Sequence, residues 1–174
     1  TVMTDRQSQY TDIVILGAGY GGMSCASRLS RKFRRNTNVR IHLIDRYTYH
    51  LLETRLHERA VRETEVTVPI SRFLAKRPNL TFHLGEITSI DLDNRQVELD
   101  FGVSETAGGE PRMISFDYLV IAIGSKTNFY QIPGLEEHAF QLKELEDSES
   151  IREHTERMFA TAASIDDPDK RKEY

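Results

Sequence analysis

The stretch Ile13-Val-Ile-Leu-Gly-Ala-Gly-Tyr-Gly-Gly22 carries an apolar run directly into three glycines spaced G-x-G-x-x-G, namely Gly17, Gly19 and Gly22. It reads as a strand, a tight turn and the start of a helix. The three glycines of such a turn differ in what they allow. Gly17 permits the reversal, Gly19 lets a pyrophosphate approach bare backbone, and Gly22 lets the helix pack close to the strand. The helix N-terminus that follows presents N–H groups to an anion. A second apolar run (Val39, Ile41, Leu43, Ile44) ends at Asp45, where a carboxylate can accept hydrogen bonds from a ribose diol. The glycine pattern alone is a weak signal, and the strand before it, the helix after it and the acid beyond supply its context. The whole reads as a dinucleotide site on a doubly wound α/β fold. Asp45 would repel a 2′-phosphate, which disfavours NADP, although the neighbouring Arg46 keeps it open. The loop by itself does not separate FAD from NAD.

Working outward, Met23, Ala26, Leu29 and Phe33 recur at helical spacing, and Arg28, Arg31, Lys32, Arg34 and Arg35 occupy the other face and the last turn. The second strand is expected over Val39 to Asp45. Arg46 to Val68 has no clean period and is read as a long irregular connection, a type that often carries function. Pro69 opens a short helix that closes at Lys76-Arg77-Pro78. From Leu80 the period becomes two, predicting a strand through Thr81 to Asp91, a turn at Asp93-Asn94 and a return strand from Gln96 to Phe101. Val103 to Pro111 is read as a turn before a strand at Met113 to Phe116. The run Tyr118 to Ile123 is apolar on both faces, as expected of a central parallel strand. A Pro133-Gly134 turn and an acidic helix over Leu142 to Ala163 follow. The expected organisation is a disordered or tag-like N-terminus (1–11), one dinucleotide-binding domain with an inserted β-hairpin or meander (12–165), and a polar linker (166–174).

The chain has 174 residues and a formal net charge of −4, distributed unevenly. Residues 1–87 hold 14 Lys and Arg against 8 Asp and Glu, and residues 88–174 hold 9 against 19. A basic half suits a phosphate-bearing ligand, and no nucleic-acid motif accompanies it. No apolar run approaches the roughly 20 residues of a membrane span. With no leader-like segment before the first strand, the chain reads as cytoplasmic. The single cysteine, Cys25, excludes an intrachain disulfide, a C-x-x-C pair and a cysteine-based metal cluster, and no metal site is expected.

Several segments together resemble type II NADH dehydrogenases: the Gly-Ala-Gly-Tyr-Gly-Gly loop, Tyr49-His50 with Thr54 and Leu56-His57-Glu58, and Gly85-Glu-Ile-Thr-Ser-Ile-Asp91. Phe116-Asp-Tyr-Leu-Val-Ile-Ala-Ile-Gly-Ser125, Thr127-Asn-Phe129 and Ile132-Pro-Gly-Leu-Glu-Glu-His-Ala-Phe140 continue the resemblance. It implies an FAD-binding unit of an NADH:quinone oxidoreductase, with NADH as the substrate of the whole enzyme and a quinone as acceptor. It also implies peripheral contact with the cytoplasmic membrane face through a later region, and a homodimer. Carried over residue by residue, it sets Gly17, Ala18, Gly19, Tyr20, Gly21 and Gly22 at the FAD pyrophosphate. Asp45, with Arg46 beside it, falls at the adenosine ribose and Ile87 at the adenine through its backbone. Ala122 and Gly124 fall at the flavin side, and Thr54 and His50 near the isoalloxazine. Where the family spells Ala-Thr-Gly this chain has Ala122-Ile123-Gly124, so one hydroxyl contact is missing. The family's second glycine-rich loop and its later Gly-Asp segment do not occur in these residues, so weak FAD affinity and little turnover are expected of the chain alone.

The flavin would carry the chemistry, so no catalytic side chain is assigned beyond the weak candidates His50 and Thr54. His57 and His83 are read as ordinary hydrogen-bonded histidines, Glu53 and Glu58 as solvated carboxylates, and Cys25 as a small packed residue. Relatives that pass electrons through cysteine pairs are disfavoured by the lone cysteine. Two alternatives stand: another NAD(P)H-linked flavin oxidoreductase with a different acceptor, and a non-catalytic dinucleotide-binding module or one subunit of a split flavoprotein.

Overall fold

Strand β1 (Thr11–Leu16) lies inside a four-stranded parallel sheet of order β5-β2-β1-β9, with β2 at Val39–Asp45, β5 at Leu80–Leu84 and β9 at Tyr118–Ile121. The computed structural model describes residues 10–100, 112–167 and 169. Residues 1–9 of the expected disordered N-terminus (1–11), the turn between Val103 and Pro111, and most of the polar tail therefore lie outside the described residues. Thr11, expected in that N-terminus, already belongs to β1 because its N–H and register tie it to the start of β2. The chain divides into two compact units, one of residues 1–50 with 69–124 and one of residues 51–68 with 125–174.

In the first unit, side chains alternate across the sheet and build a core on each face. Ile13 and Ile15 of β1, Val39, Ile41 and Leu43 of β2, and Leu80 of β5 pack with Ala18, Ala26 and Ile70, against which Met23, Leu29, Phe33 and Phe73 lean. These last come from helix α1 (Tyr20–Lys32), its C-cap and the short helix α3 (Ile70–Leu74). Val14, Leu16 and Ile44 point the other way and meet Val97, Leu99, Ile114 and Phe116. Val97, Leu99 and Ile114 belong to an antiparallel meander of β6 (Glu86–Asp91), β7 (Gln96–Asp100) and β8 (Arg112–Ser115). Each fully buried aliphatic side chain contributes about 1.5–3 kcal/mol, so two cores on one sheet hold β1 and β2 firmly. The C-terminal turn of α1 is tied by a reciprocal pair: Ser30 Oγ donates to Asn79 Oδ1 (2.7 Å), and Asn79 Nδ2 donates to the Ser30 carbonyl (3.2 Å).

The period-two run from Leu80 is not one strand: Gly85 breaks it, and its halves β5 and β6 join different sheets. The apolar strand near Tyr118 is parallel, as expected, and pairs with β1; among the described residues it is the last strand of the sheet.

In the second unit, α2 (Leu56–Arg59) packs on α5 (Leu145–Ala163), with Leu56, Ala60, Val66 and Ser148 buried. Arg59 pairs with Glu149 at 2.5 Å. Helix α5 starts three residues later than expected because Glu144 and Asp147 form a capping box, with Asp147 Oδ2 accepting the Glu144 N–H at 2.8 Å. The Pro133-Gly134 turn leads into α4 (Leu135–His138), Gly134 having φ +78°. The connection read as irregular contains two short paired strands, β3 (Tyr49–Leu51) and β4 (Thr67–Pro69), besides α2.

Candidate functional site

The glycine loop joins β1 to α1 at the carboxyl ends of the parallel strands, where an open α/β sheet takes its ligand. Gly17 has φ +94°, and a Cβ on it would come within 2.3 Å of the Ala122 carbonyl oxygen just past β9. At Gly22 a Cβ would fall 1.8 Å from the Gly17 carbonyl oxygen, so helix and loop touch backbone to backbone. Gly19 is the opposite case: a Cβ there would meet nothing within 4 Å. Two glycines therefore serve the close packing of the loop, and the third borders open space next to the start of α1. Among the described residues the N–H groups of Gly19 and Gly21 make no backbone hydrogen bond outside the helix ladder. Bare donors, an open cradle and the positive end of a 13-residue helix suit a diphosphate.

Asp45, at the end of β2, accepts the Ala18 N–H at 2.5 Å through Oδ2 and the Tyr47 N–H at 2.9 Å through Oδ1. A carboxylate offers about four lone-pair directions, so both oxygens keep capacity for ribose hydroxyls. Arg46 is exposed and its guanidinium lies 5.0 Å from the Tyr47 ring centre. Ile87 is half-buried in β6 at a bulge in its pairing with β7. The Ala122 N–H donates to the Leu16 carbonyl at 2.8 Å, which holds the end of β9 against the loop, and Gly124 takes φ +76° where a side chain would be strained. Exposed Ile123 stands between them.

His50 is buried, and its Nδ1 donates to the Ala18 carbonyl at 2.9 Å. The acceptor is a carbonyl, so Nδ1 carries a proton. The Tyr20 ring meets the imidazole edge-to-face at 4.7 Å between centroids. The structure thus brings Gly17 to Gly22, Asp45, His50, Ala122 and Gly124 together in the first unit, with Ile87 on its meander. Thr54 belongs to the second unit, in a 3-10 turn (Glu53–Arg55), where it is exposed. Glu58 is held by Arg55 and Arg62, whose guanidiniums lower its pKa to about 2, so it is no proton donor near neutral pH. Exposed His57 lies beside it, and half-buried Cys25 packs on the core face of α1.

Sequence reading missed a polar network on the meander side of the sheet. Asp12 takes both nitrogens of an Arg40 fork (2.7 and 2.6 Å) and lies 3.1 Å from His42 Nε2, while His42 Nδ1 lies 2.9 Å from His83 Nε2. Burial, the neighbouring His42 and Arg112 push the pKa of His83 down to about 4. The signal was present as polar residues at alternate positions of β1, β2 and β5, but only strand register aligns them. Among the described residues no group of His, Cys, Asp and Glu could hold a metal.

The profile of the pyridine nucleotide-disulphide oxidoreductase family matches residues 11–165. A type II NADH:quinone oxidoreductase of Staphylococcus epidermidis is 32% identical over 162 residues, covering 91% of this chain and 37% of that protein. Its counterpart from Staphylococcus aureus is 29% identical, covering 90% and 37%. The chain thus spans little more than a third of the curated relatives it matches. Among solved structures, NDH2 from Plasmodium falciparum in complex with NADH superposes with a TM-score of 0.74 at 23% identity, covering 93% of this chain and 32% of that one. The sulfide:quinone oxidoreductase of Aquifex aeolicus gives 0.68 at 26% identity, covering 86% and 32%. With nearly the whole described chain inside one family profile and a parallel sheet carrying the expected glycine loop, this chain belongs to the pyridine nucleotide-disulphide oxidoreductase family.

Proposed function

We propose that residues 12–165 form the FAD-binding portion of a flavoprotein that oxidises NADH and reduces a quinone. The observation that carries this reading is the division of labour among the loop glycines: Gly17 and Gly22 have no room for a Cβ, and Gly19 borders open space beside helix donors and Asp45. In this reading the backbone of Gly17 to Gly22, with Ala18, Tyr20 and Gly21, holds the pyrophosphate. Asp45 takes the ribose diol with Arg46 at its rim, Ile87 meets the adenine, and Ala122 and Gly124 lie along the flavin. Bound there, FAD supplies the two-electron chemistry, taking a hydride from NADH and delivering electrons to the acceptor. The quinone and NADH assignments rest on the names of the relatives from Staphylococcus.

A lipid-soluble acceptor implies work at a membrane surface, on the cytoplasmic side. No helix among the described residues is long and apolar enough to cross a bilayer. The test is an absorbance and fluorescence titration of the intact protein with FAD, with NAD as control. Saturable binding of FAD, a flavin spectrum bleached by NADH, and its return on adding a short-chain quinone are expected. Binding of NAD alone, or of neither nucleotide, overturns the reading.

A further inference from the structure

The two peptide planes at the centre of the glycine loop are each held by a side chain from elsewhere in the first unit. The N–H of Ala18 is held by Asp45 Oδ2 at 2.5 Å, and the carbonyl of Ala18 by His50 Nδ1 at 2.9 Å. In a planar trans peptide the carbonyl and the following N–H point in opposite directions. Fixing the Ala18 carbonyl toward His50 therefore turns the Gly19 N–H away from it. That N–H makes no backbone hydrogen bond among the described residues, and beyond Gly19 and its two chain neighbours no atom lies within 4 Å of where a Gly19 Cβ would project. The imidazole is itself constrained by burial and by the Tyr20 ring set edge-to-face at 4.7 Å.

We propose that His50 is a positioning residue of the dinucleotide site: through Nδ1 it sets the Ala18–Gly19 peptide so that the Gly19 N–H is presented to the pyrophosphate. This rests on the FAD reading above and assigns His50 a place at the phosphate loop, away from any proton transfer at the flavin ring. Loop donors gain affinity only if their directions are fixed before the ligand arrives, because ordering them on binding costs free energy. Asp45 fixes the first plane and His50 the second. Glycine at 19 leaves that second plane little intrinsic preference, so an external restraint matters most there.

The test separates the Nδ1 hydrogen bond from mere filling of space. An asparagine amide nitrogen reaches the place of Nδ1 in histidine, and a glutamine amide nitrogen the place of Nε2. His50→Asn, His50→Gln and His50→Leu are prepared in the intact protein, and FAD affinity is titrated beside thermal unfolding without FAD. The expected result is an FAD Kd within about threefold of wild type for His50→Asn, and a rise of about tenfold or more for His50→Gln and His50→Leu. Should His50→Leu fail to fold, the asparagine–glutamine comparison alone decides. Equal losses in all three variants, or wild-type affinity in all three, overturn the role of Nδ1 while leaving the FAD reading intact. Failure of the wild-type protein to bind FAD is a separate outcome and removes both.

Discussion

A methyl group added at Gly19 and one added at Gly22 should have opposite consequences, although the two glycines are three residues apart. At Gly22 the new Cβ would lie 1.8 Å from the Gly17 carbonyl oxygen and 2.9 Å from its carbon. Ordinary contact begins near 3.5 Å, so loop and helix backbones would have to part by about 1.5 Å. Overpacking a close contact commonly costs about 1–3 kcal/mol, and here neither partner is a side chain that can swing aside, so Gly22→Ala should lose about 3 kcal/mol or more. For a chain of this size that corresponds to a fall in Tm of roughly 6–12 °C. At Gly19 the backbone has φ −69° and ψ −171°, which any L-residue accepts, and the Cβ meets nothing. Alanine in place of glycine at a helix N-cap should cost about 1 kcal/mol or less, so Gly19→Ala should melt close to wild type. Its methyl, however, stands in the space assigned to the pyrophosphate, and the FAD Kd should rise by at least about tenfold. Circular-dichroism melts and flavin-fluorescence titrations read the two effects separately. Wild-type melting of Gly22→Ala would refute the packing argument, and wild-type FAD affinity in Gly19→Ala would refute the placement of the ligand.

Asp45→Asn should weaken both loop and ligand: an amide has one accepting atom, so either the Ala18 or the Tyr47 N–H loses its acceptor, at about 1.5–3 kcal/mol for a charged hydrogen bond. A melt and an FAD titration unchanged from wild type would sink this account. A second expectation concerns acid. His83 titrates near 4 when folded and near 6.5 when unfolded, so between those values the unfolded chain binds the extra proton. Stability should therefore fall as pH drops from about 7 to 4, by up to about 3 kcal/mol. His83→Phe should flatten that part of the pH–Tm profile, and superimposable profiles for variant and wild type would contradict the assignment.

The β1–loop–α1–β2 unit could be read from the chain directly, because each part follows from neighbours within a few residues. The apolar run ends where glycines begin, the helical period of Met23, Ala26, Leu29 and Phe33 follows, and β2 covers Val39–Asp45 as expected. The glycine spacing and the acid at 45 made the loop and its carboxylate partner visible for the same reason. Where reading failed, the deciding contact was long-range. Nothing local distinguishes β5 from β6 on either side of Gly85; the parallel register of Ile41 with Leu80 and the antiparallel register of Ile87 with Leu99 do.

The site divides along the same line. Residue type and spacing determined which backbone could accept a dinucleotide, since only glycine tolerates φ +94° at position 17 and backbone contact at position 22. Tertiary structure decided what holds that backbone. His50 reaches the Ala18 carbonyl from 32 residues away, and Asp12, His42 and His83 meet across three strands. A hydrogen bond between distant residues depends on how β1, β2 and the segments after them are stacked, and a one-residue slip in register would turn each of these side chains to the other face.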